Sequence, residues 1–380
     1  MRKLRMGMIG GGKGSFIGDV HRKAAQMDGL IELVCGAFSS SAERSKESGK
    51  ALFLPEDRCY GSFEEMIINE KQLPENERMD FVSITTPNHL HFGPAKMALQ
   101  NGFHVVCDKP MTLTLAEAEE LKNLVEETGL LFALTHVYTG YPMVRQAKQM
   151  IANGDLGIIR KVQVQYLQGW MATAVENVEN SKDFWRQDPK KSGMGGALGD
   201  IGTHAENLTE YITGLKITEL AADLGHFVEG RKLDDDGNLL VRMENGAKGT
   251  LSFSQIAVGE ENNLAIRIYG EKGSVEWHQE NPNELVARWL DRPKSIFTPN
   301  GFGLYQDAKY ASRVPSGHPE GYFEAFAMIY RSFAEHLNAV LSSELSSAPH
   351  YPTVDDGLRG LKFITAAVQS HNNNSAWTKI

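Results

Sequence analysis

The chain contains 380 residues, of which 41% are hydrophobic, 23% charged and 9% aromatic. This composition is typical of a globular chain with enough apolar material for two packed cores, and it excludes a disordered tail, a collagen-like chain and a disulfide mini-domain. Lysine and arginine number 39 against 48 aspartates and glutamates, so the formal net charge is -9. That charge repels a phosphate backbone and no basic cluster offsets it, so we expect no nucleic-acid partner.

The three cysteines, Cys35, Cys59 and Cys107, are widely separated in the sequence. An odd number at such spacing predicts neither a disulfide framework nor a metal site, and it favours a reducing compartment. The opening letters MRKLRMGMIGGG contain too few apolar residues for a signal-peptide core, and no later run is long enough to cross a bilayer. We therefore expect a cytoplasmic protein that binds neither a metal nor a membrane.

The first part of the chain, residues 1–135, alternates short apolar runs with amphipathic segments. Short apolar runs indicate buried strands, and apolar residues spaced three or four apart indicate helices. Strand and helix in alternation predict a doubly wound α/β domain, in which a parallel sheet has helices on both faces. The predicted strands are residues 4–9, 30–38, 80–85, 103–107 and 130–134, and the predicted helices are residues 20–27, 42–52, 92–99 and 115–125.

The rest of the chain, residues 136–380, has a different pattern. Apolar and polar side chains alternate over residues 161–168, which predicts a strand with one buried and one wet face. Similar runs separated by turn signals predict a large, open, mostly antiparallel sheet in an α+β domain. The further predicted strands are 239–243, 251–256, 264–269, 275–277 and 285–289, and the predicted helices are 142–153, 323–341 and one that starts at a capping box of Thr353 and Asp356.

A glycine-rich loop, GGGKGSFIGDVH at residues 10–21, directly follows the first predicted strand. Glycines permit a tight turn there, and backbone amides at the start of the next helix can bind a pyrophosphate. Five residues rather than the usual two separate Gly12 from Gly18, which lengthens the phosphate loop. A plain glycine-rich turn is the alternative, but the position after the first strand favours a dinucleotide cofactor. The residues assigned to the cofactor here are Gly10, Gly12, Lys13, Gly14, Ser15, Phe16 and Ile17.

The end of the second predicted strand bears on which cofactor is bound. A carboxylate is expected there if it binds the adenosine ribose diol, yet the residues present are Ser39, Ser40 and Ser41, with Arg44 beyond them. Ser39, Ser40 and Arg44 can serve either cofactor, so NAD and NADP both stay open, with a slight preference for NAD. The alternative is that Ser40 or Ser41 only caps the next helix.

Two polar segments, TTPNHLH at residues 85–91 and CDKP at residues 107–110, follow two further predicted strands. Ligands of open α/β sheets bind at the carboxyl ends of the strands. The proline after Lys109 keeps this lysine out of a helical conformation, so its amine can point into the crevice. A solvated strand end is the alternative for an isolated Lys-Pro pair. The residues assigned to the cofactor here are Thr86, Pro87, Asn88, His91, Asp108 and Lys109.

The segment GGALGDIGTH at residues 195–204 predicts a helix with an apolar stripe toward the core. Asp200 and His204 are four residues apart, so they fall together along the edge of that stripe. An imidazole beside a carboxylate can act as a general base near neutral pH. A local ion pair on a helix surface is the alternative, and the pair alone does not decide between them.

Four motifs follow one another along the chain: the glycine loop, TPNHLH at residues 86–91, DKP at residues 108–110 and the GGxLxDxGxH helix. With these motifs, the whole chain resembles the Gfo/Idh/MocA oxidoreductase family. Glucose-fructose oxidoreductase and the inositol dehydrogenases belong to that family. The resemblance implies that Lys109, Asp200 and His204 form the catalytic group. The family has EKP where this chain has DKP, a conservative departure, whereas the lengthened glycine loop is a larger one.

The resemblance also implies a second domain whose open sheet forms one wall of the active site and an oligomer interface. We therefore expect a homo-oligomer, a dimer or a tetramer, that associates through this sheet. Residues 168–195 precede the catalytic helix and could line a sugar pocket, because aromatic faces pack on sugar rings and Arg binds hydroxyls. An ordinary packed loop is the alternative. The residues assigned to the substrate are His136, Tyr138, Trp170, Trp185, Arg186, Asp200 and His204.

The leading hypothesis is a nicotinamide-dependent dehydrogenase that oxidises a secondary hydroxyl of a sugar, glycoside or cyclitol, with the 3-position of a glucoside preferred to an inositol. His204 would accept the hydroxyl proton, Lys109 would stabilise the developing alkoxide, and Asp200 would orient the substrate or the base. One alternative is a glycosidase that uses tightly held NAD to oxidise, eliminate, add water and reduce again. Another is a dinucleotide-binding regulator that has lost the chemistry.

Overall fold

The computed structural model describes residues 2–174, 184–343 and 349–380. The chain divides into two compact units. The first unit comprises Met1–Val137 and Phe326–Leu358, and the second comprises Tyr138–Ala325 and Arg359–Ile380. The chain therefore contributes two separate stretches to each unit.

A five-stranded parallel sheet forms the centre of the first unit and confirms the predicted α/β fold. Its strands are β1 (Leu4–Gly10), β2 (Ile31–Ala37), β3 (Phe81–Thr85), β4 (His104–Cys107) and β5 (Phe132–Leu134). Every residue of β3, β4 and β5 is buried, as expected for strands with both faces covered. The strand order is β2-β1-β3-β4-β5, so the topology switches sides between β1 and β3. Ligands of open α/β sheets bind at the carboxyl ends of strands at such a switch point.

Helices connect these strands, and most of them start at a serine or threonine cap. They are α1 (Phe16–Met27), α2 (Ala42–Ala51), α3 (Phe63–Gln72), α4 (Phe92–Gln100) and α5 (Leu115–Thr128). The side chain of Thr114 and that of Glu117 form a full capping box at the start of α5. Sequence analysis did not predict α3, because its buried face consists only of Met66, Ile67 and Glu70 and lacks a long apolar stripe.

A nine-stranded sheet forms the second unit, with the order β13-β12-β11-β10-β6-β9-β8-β7-β14. Neighbouring strands are antiparallel except β6 and β9, which are parallel, so the predicted mostly antiparallel sheet is confirmed. The strands are β6 (Ile159–Leu167), β7 (Ile217–Gly225), β8 (Asp236–Met243), β9 (Lys248–Ser254), β10 (Asn263–Gly270), β11 (Gly273–His278), β12 (Leu285–Trp289), β13 (Ser295–Phe297) and β14 (Thr378–Lys379).

Three of these strands, β7, β13 and β14, were not predicted. β7 has the sequence ITELAADLG, in which alanine, aspartate and glutamate weaken the strand signal. β13 and β14 are too short to show a period of two. In β6, by contrast, Val162, Val164 and Tyr166 are buried and alternate with more exposed polar residues, which confirms the predicted pattern.

The helices of the second unit cover one face of its sheet. Helix α8 contacts β6, β9 and β10, and it also contacts α6. The other helices of this unit are α6 (Pro142–Ala152), α7 (Pro189–Ser192), α8 (Thr203–Thr213) and α9 (Gln306–Ala311). Two further helices contribute to both units: α10 (Tyr322–Leu341) lies mostly in the first unit, and α11 (Val354–Asn372) lies mostly in the second. Within the described ranges, no helix combines the length and the apolar character that a membrane span requires.

The predicted cap of α11 is present in a slightly altered form. The Asp356 carboxylate accepts the Thr353 N–H at 2.7 Å, as in a capping box. The Thr353 hydroxyl oxygen accepts the N–H of Asp355 at 3.3 Å rather than that of Asp356. Both contacts satisfy N–H groups that have no acceptor inside the helix.

Candidate active site

The glycine loop after β1 places backbone, not side chains, at the carboxyl edge of the sheet. Gly10, Gly11 and Gly14 have φ values of 80°, 71° and 83°, in the left-handed region that favours glycine. A Cβ atom on Gly18 would lie 2.3 Å from the Cα of Gly11, so α1 packs directly on the loop backbone. Sequence analysis did not assign Gly11 and Gly18 to the site, although the last glycine of this fingerprint is the one that permits close helix packing.

The N-terminus of α1 faces the end of this loop. Ser15 caps the helix by accepting the N–H of Gly18 on its hydroxyl at 3.2 Å, and its own N–H donates to the Gly12 carbonyl at 3.0 Å. The N–H groups of Phe16 and Ile17, in the first turn, have no acceptor inside an α-helix. Together with the positive end of the helix dipole they form a donor set that fits the pyrophosphate of a dinucleotide.

The side chains of the glycine loop contribute less to the candidate cofactor site than its backbone does. Lys13 and Phe16 are exposed, Phe16 to 74%. The N–H of Lys13 donates to the Ser48 hydroxyl of α2 at 3.2 Å, which fixes the loop against the neighbouring helix. Arg22 donates to the carbonyl oxygen of Gly11 from the second turn of α1. Both contacts hold the backbone in the conformation that presents its amides.

Two of the three serines after β2 make hydrogen bonds that stabilise the local backbone. Ser41 is the N-cap of α2, since its hydroxyl accepts the Arg44 N–H at 3.4 Å. The Ser39 hydroxyl accepts the Ser41 N–H at 3.2 Å. Ser40 and the Arg44 side chain are exposed. Of the two alternatives for the cap, Ser41 is therefore the capping residue, and the described contacts leave Ser40 and Arg44 at the surface beside the end of β2.

The segment after β3 is fastened by His91. This side chain is buried, and its two ring nitrogens contact the carbonyl oxygens of Thr86 at 2.8 Å and of Pro110 at 2.7 Å. Pro87 precedes a short 3-10 turn over Asn88–Leu90. His91 therefore links the loop after β3 to the loop after β4, and both of its nitrogens are occupied by the protein backbone.

The loop after β4 carries Asp108 and Lys109, both partly buried. One carboxylate oxygen of Asp108 accepts the Thr135 hydroxyl at 2.8 Å and the Lys109 N–H at 2.9 Å. These two bonds fix the backbone from which the lysine projects. His136 is fully buried nearby, and burial together with the positive charge of Lys109 lowers its pKa to about 3, against the opposing effect of Asp108. His136 is therefore a neutral imidazole.

A buried polar network lies beneath this loop, and sequence analysis did not identify it. The His21 ring of α1 contacts the Tyr330 hydroxyl at 2.7 Å, and that hydroxyl contacts the Ser83 hydroxyl of β3 at 2.8 Å. The other ring nitrogen of His21 lies 3.9 Å from an Asp108 oxygen. Burial lowers the pKa of His21 to about 4, with Asp108 opposing the shift, so the ring is neutral. Three distant segments meet here, which no local pattern can show.

In the second unit, Asp200 lies on a turn that is not α-helical as predicted, whereas His204 lies in an α-helix. Residues Leu198–Gly202 form a π-helical turn, and α8 begins only at Thr203. A π-helical turn widens the helix locally and is common at functional sites. We call residues 198–204 the catalytic turn, after the role that the sequence analysis predicts for Asp200 and His204. Asp200 is half-buried and His204 is 6% exposed, so the pair is not a solvated surface ion pair.

His204 is enclosed by tyrosines. The Tyr138 ring meets the His204 ring edge to face with centroids 4.8 Å apart, and the Tyr166 ring lies at 6.1 Å. The Tyr166 hydroxyl bonds the Tyr138 hydroxyl and donates to the Asn262 side chain at 2.8 Å. Burial raises the pKa of Tyr138, so its hydroxyl stays protonated. Tyr138 was assigned to the substrate from the sequence, whereas Tyr166 and Asn262 were not assigned to the site.

Asp200 and the glycines before it are held by side chains from elsewhere in the unit. The Gln255 amide donates to an Asp200 oxygen at 2.8 Å. Asp234 accepts the N–H groups of Gly196 and Leu198 at 2.7 and 2.6 Å. Burial raises the pKa of Asp234 to about 6 despite these two hydrogen bonds. Neither Gln255 nor Asp234 stands in a recognisable motif, so sequence analysis missed both.

The predicted substrate segment, residues 168–195, is described on both sides of residues 175–183, which lie outside the described residues. The Arg186 guanidinium lies 4.6 Å from the Trp185 ring centroid and 5.9 Å from that of Trp170. Trp170 is 39% exposed, and its indole N–H donates to the Gln168 side chain at 3.0 Å. The structure therefore brings Trp170, Trp185 and Arg186 together as one aromatic and cationic cluster.

Two family models match this chain. The model described as the oxidoreductase family with an NAD-binding Rossmann fold matches residues 4–150, and the GFO/IDH/MocA C-terminal domain matches residues 144–276. The protein belongs to the Gfo/Idh/MocA family of oxidoreductases, and the family assigned from the motifs is confirmed. The predicted dinucleotide-binding fold of the first domain is confirmed with it, and NAD is the cofactor of the matching Rossmann model.

Individual relatives cover nearly the full length of the chain. An oxidoreductase structure from Sinorhizobium meliloti is 46% identical, with a TM-score of 0.90 and 100% of both chains covered. An inositol dehydrogenase homolog from Azotobacter vinelandii, solved with NADH and myo-inositol, is 33% identical, with a TM-score of 0.93, covering 100% of this chain and 98% of the other. Levoglucosan dehydrogenase of Pseudarthrobacter phenanthrenivorans is 28% identical over 80% of this chain and 84% of its own.

Proposed function

We propose that the protein is an NAD-dependent dehydrogenase that oxidises a secondary hydroxyl of a cyclitol, a sugar or a glycoside. The observation that carries the proposal is a buried histidine, His204, at the start of the helix that follows the π-helical turn of Asp200, in a chain whose other unit has the NAD-binding fold. Bound NAD supplies the hydride acceptor for such an oxidation. The protein has to bind the cofactor, orient the hydroxyl and remove its proton.

The base in this proposal is His204. A general base works best when its pKa lies near the operating pH, and histidine meets that condition in many environments. The Tyr138 ring, 4.8 Å away, restricts the orientation of the imidazole. Asp200, on the preceding turn, orients the substrate hydroxyl or the imidazole. Neutral His21 and His136 have strongly lowered pKa values, so they are poor candidates for the same role.

Lys109 supplies positive charge to the developing alkoxide. Electrostatic stabilisation by a fixed group contributes most when that group is held in place before the reaction. The Asp108 carboxylate holds the Lys109 backbone through a hydrogen bond of 2.9 Å, and Asp108 is itself held by Thr135. The lysine belongs to the first unit, whereas Asp200 and His204 belong to the second.

The aromatic and cationic cluster of the predicted substrate segment and the relatives support the proposed substrate class. Rings such as Trp170 and Trp185 can pack on a sugar or cyclitol ring, and Arg186 and Gln168 can bind hydroxyls. A homolog that is 33% identical was solved with myo-inositol, and levoglucosan dehydrogenase is 28% identical. These relatives support an inositol at least as strongly as the 3-position of a glucoside.

A substrate screen tests the proposal. The purified protein is incubated with NAD or NADP and with myo-inositol, scyllo-inositol, levoglucosan, glucose, glucosides and disaccharides, and the absorbance of the reduced nicotinamide is followed. We expect reduction of NAD with one polyol class. Release of free sugar from an aryl glycoside without net reduction would instead assign the protein to the redox-cycling glycosidases. Cofactor binding without either reaction would favour the regulator.

Lys109→Met tests the role of the lysine. Loss of one group that stabilises a developing oxyanion lowers kcat about 100- to 1,000-fold. Lys362→Met is the matched control, because Lys362 is exposed on α11. NAD binding, followed by fluorescence titration of NADH, separates a catalytic loss from a binding loss. Full turnover of the Lys109 variant would remove the lysine from the mechanism.

We further propose that the open face of the second unit's sheet joins copies of the chain. Its strands carry a charged cluster in which Glu276 contacts Arg267 at 2.7 Å, Arg288 at 2.6 Å and His278 at 2.9 Å. Light scattering after size exclusion is expected to give a dimer or a tetramer. A monomer at assay concentration would contradict this proposal without affecting the reaction proposed above.

A further inference from the structure

We propose that Gln255 is a positioning residue that fixes the carboxylate of Asp200. The inference rests on the proposed function, because it gives Asp200 a role in the reaction. Gln255 directly follows β9 and is 1% exposed. Its side-chain nitrogen donates to one oxygen of Asp200 at 2.8 Å. No motif singles out this glutamine, and its importance comes only from where the sheet places it.

The main chain of Gln255 is fixed on both sides. Its N–H donates to the carbonyl of Asp235 at 2.9 Å, and its carbonyl accepts the N–H of Met171 at 3.0 Å. Met171 lies in the predicted substrate segment. One residue therefore joins the catalytic aspartate, the start of the substrate segment and the loop before β8. A side chain on such a fixed backbone can hold its partner within a narrow range of positions.

The surrounding loop is fixed by buried charges. Arg231 and Asp235 form an ion pair at 3.2 Å in which both side chains are 0% exposed. Arg231 also donates to the carbonyls of Met171 and Thr173 at 2.6 and 2.9 Å. Asp234 holds the N–H groups of Gly196 and Leu198 at the start of the catalytic turn. None of these contacts uses the side-chain amide of Gln255, so a substitution can remove the amide and keep them.

The chemistry of a primary amide explains why glutamine suits this position. A carboxylate only accepts hydrogen bonds, so Gln255 presents its NH2 group to Asp200 and favours the ionised form of that carboxyl group. An amide does not titrate, so it donates at every assay pH. The bond fixes the plane of the Asp200 carboxylate relative to His204, four residues further along the catalytic turn. Misplacing a catalytic group by about 1 Å costs about 100-fold in rate.

Two substitutions separate this role from a packing role. Gln255→Met keeps the length of the side chain and removes the donor at every pH. Gln255→Glu keeps the shape and replaces the amide with a carboxyl group that donates only when it is protonated. Both variants keep the main-chain bonds to Met171 and Asp235. We therefore expect NADH binding of both to stay close to that of the wild type. The melting temperature of Gln255→Met should stay close to the wild-type value as well, and that of Gln255→Glu should do so at low pH, where the new carboxyl group is protonated.

The expected kinetic signatures differ. Gln255→Met lowers kcat on the order of 10- to 100-fold with the same pH dependence as the wild type. Gln255→Glu keeps more activity at low pH, where the new carboxyl group donates to Asp200, and loses it as pH rises and two carboxylates face each other. The charged and titratable groups of the neighbouring segments, Asp200, His204, Arg231, Asp234 and Asp235, are the same in all three proteins, so the difference between the two pH profiles reports on the new carboxyl group.

Gln369→Glu on the exposed face of α11 is the matched control and is expected to leave kcat and its pH profile unchanged. Wild-type kcat in Gln255→Met, or parallel pH profiles for the two Gln255 variants, would overturn the inference. Absence of turnover in the wild type with every polyol would refute the proposed function instead. If Gln255→Met unfolds, the pH profile of Gln255→Glu still decides the question.

Discussion

The two units form their candidate sites from different parts of the chain. In the first unit, glycines and the N-terminus of α1 present backbone N–H groups, and side chains such as His91 and Asp108 mainly hold the backbone in place. In the second unit, the catalytic turn presents side chains, and other side chains hold those. The first arrangement suits a ligand that is the same across a family, whereas the second can change its substrate by changing side chains.

This difference has a consequence for substitutions. A backbone site is sensitive to any added atom, because glycine has no side chain that could be exchanged without strain. A site formed by side chains is sensitive to the loss of individual functional groups and tolerant of changes nearby. The effects expected below therefore differ in kind between the units, with kinetic losses in the second and losses of stability or cofactor binding in the first.

The largest effect is expected for His204, the proposed base in the second unit. His204→Asn removes the proton acceptor while keeping a polar side chain, and loss of general base catalysis lowers kcat by about 100- to 10,000-fold. Steady-state kinetics with NAD and the best polyol measure it. His318→Asn, at an exposed loop position, is the control and is expected to be neutral. A modest change in kcat for His204→Asn would show that another group removes the proton.

The buried network of the first unit is expected to make stability depend on pH. The His21 pKa is lowered by burial from 6.5 to about 4, so the unfolded chain takes up a proton below pH 6.5 that the folded chain does not bind until about pH 4. Stability from this group is present above pH 6.5 and is lost as pH falls, by up to about 3 kcal/mol.

His21→Gln tests this linkage while keeping an acceptor for the Tyr330 hydroxyl. Urea midpoints between pH 7 and about 4.5 should fall less steeply for the variant than for the wild type. His318→Gln, which is exposed, should follow the wild-type curve. Identical slopes for the His21 variant and the wild type would mean that His21 does not stay neutral in the folded protein.

A smaller effect is expected where the backbone of the first unit is most crowded. Gly18→Ala places a methyl group 2.3 Å from the Cα of Gly11, so the glycine loop and α1 must separate. Such overpacking costs about 2 kcal/mol in the free energy of unfolding. The KM for NAD should rise as well, because the displaced amides belong to the loop. Gly93→Ala in α4 is the control, since its added atom meets nothing closer than 3.8 Å.

If Gly18→Ala lost stability but kept the wild-type KM for NAD, the loop backbone would not be part of the cofactor site. Denaturant titration and steady-state kinetics on the same preparation separate these two effects. Because the glycine loop contains neither the proposed base nor Lys109, kcat at saturating NAD should change little in this variant.

The smallest effect concerns the serines after β2. Ser41→Ala removes the N-cap of α2 and should cost about 1 kcal/mol in the free energy of unfolding. The KM for NAD should stay constant, because the Ser41 hydroxyl faces its own helix. Ser40→Ala, at the exposed neighbour, should leave stability unchanged. A raised KM for NAD in Ser41→Ala would instead place this serine in the cofactor site.

Much of the site was predictable from local sequence, and the missed parts share one property. The glycine loop, the DKP motif, and the pair Asp200 and His204 each occupy one short segment, so their spacing in the sequence is their spacing in space. Gln255 meets Asp200 across 55 residues, and Tyr330 meets Ser83 across 247. Short-range patterns carry no information about contacts of that kind, which depend on strand order and helix packing.

The sequence by itself predicted the two fold classes, because hydrophobic periodicity acts within a few residues, and it placed the glycine loop, Lys109, Asp200 and His204 among the candidate site residues. Tertiary structure decided the rest. In the folded chain the start of the predicted catalytic helix is a π-helical turn, Ser41 is the cap of α2, and the Tyr138 ring packs on the His204 ring. These outcomes depend on burial and on hydrogen bonds between distant segments, and both arise only when the sheets have assembled.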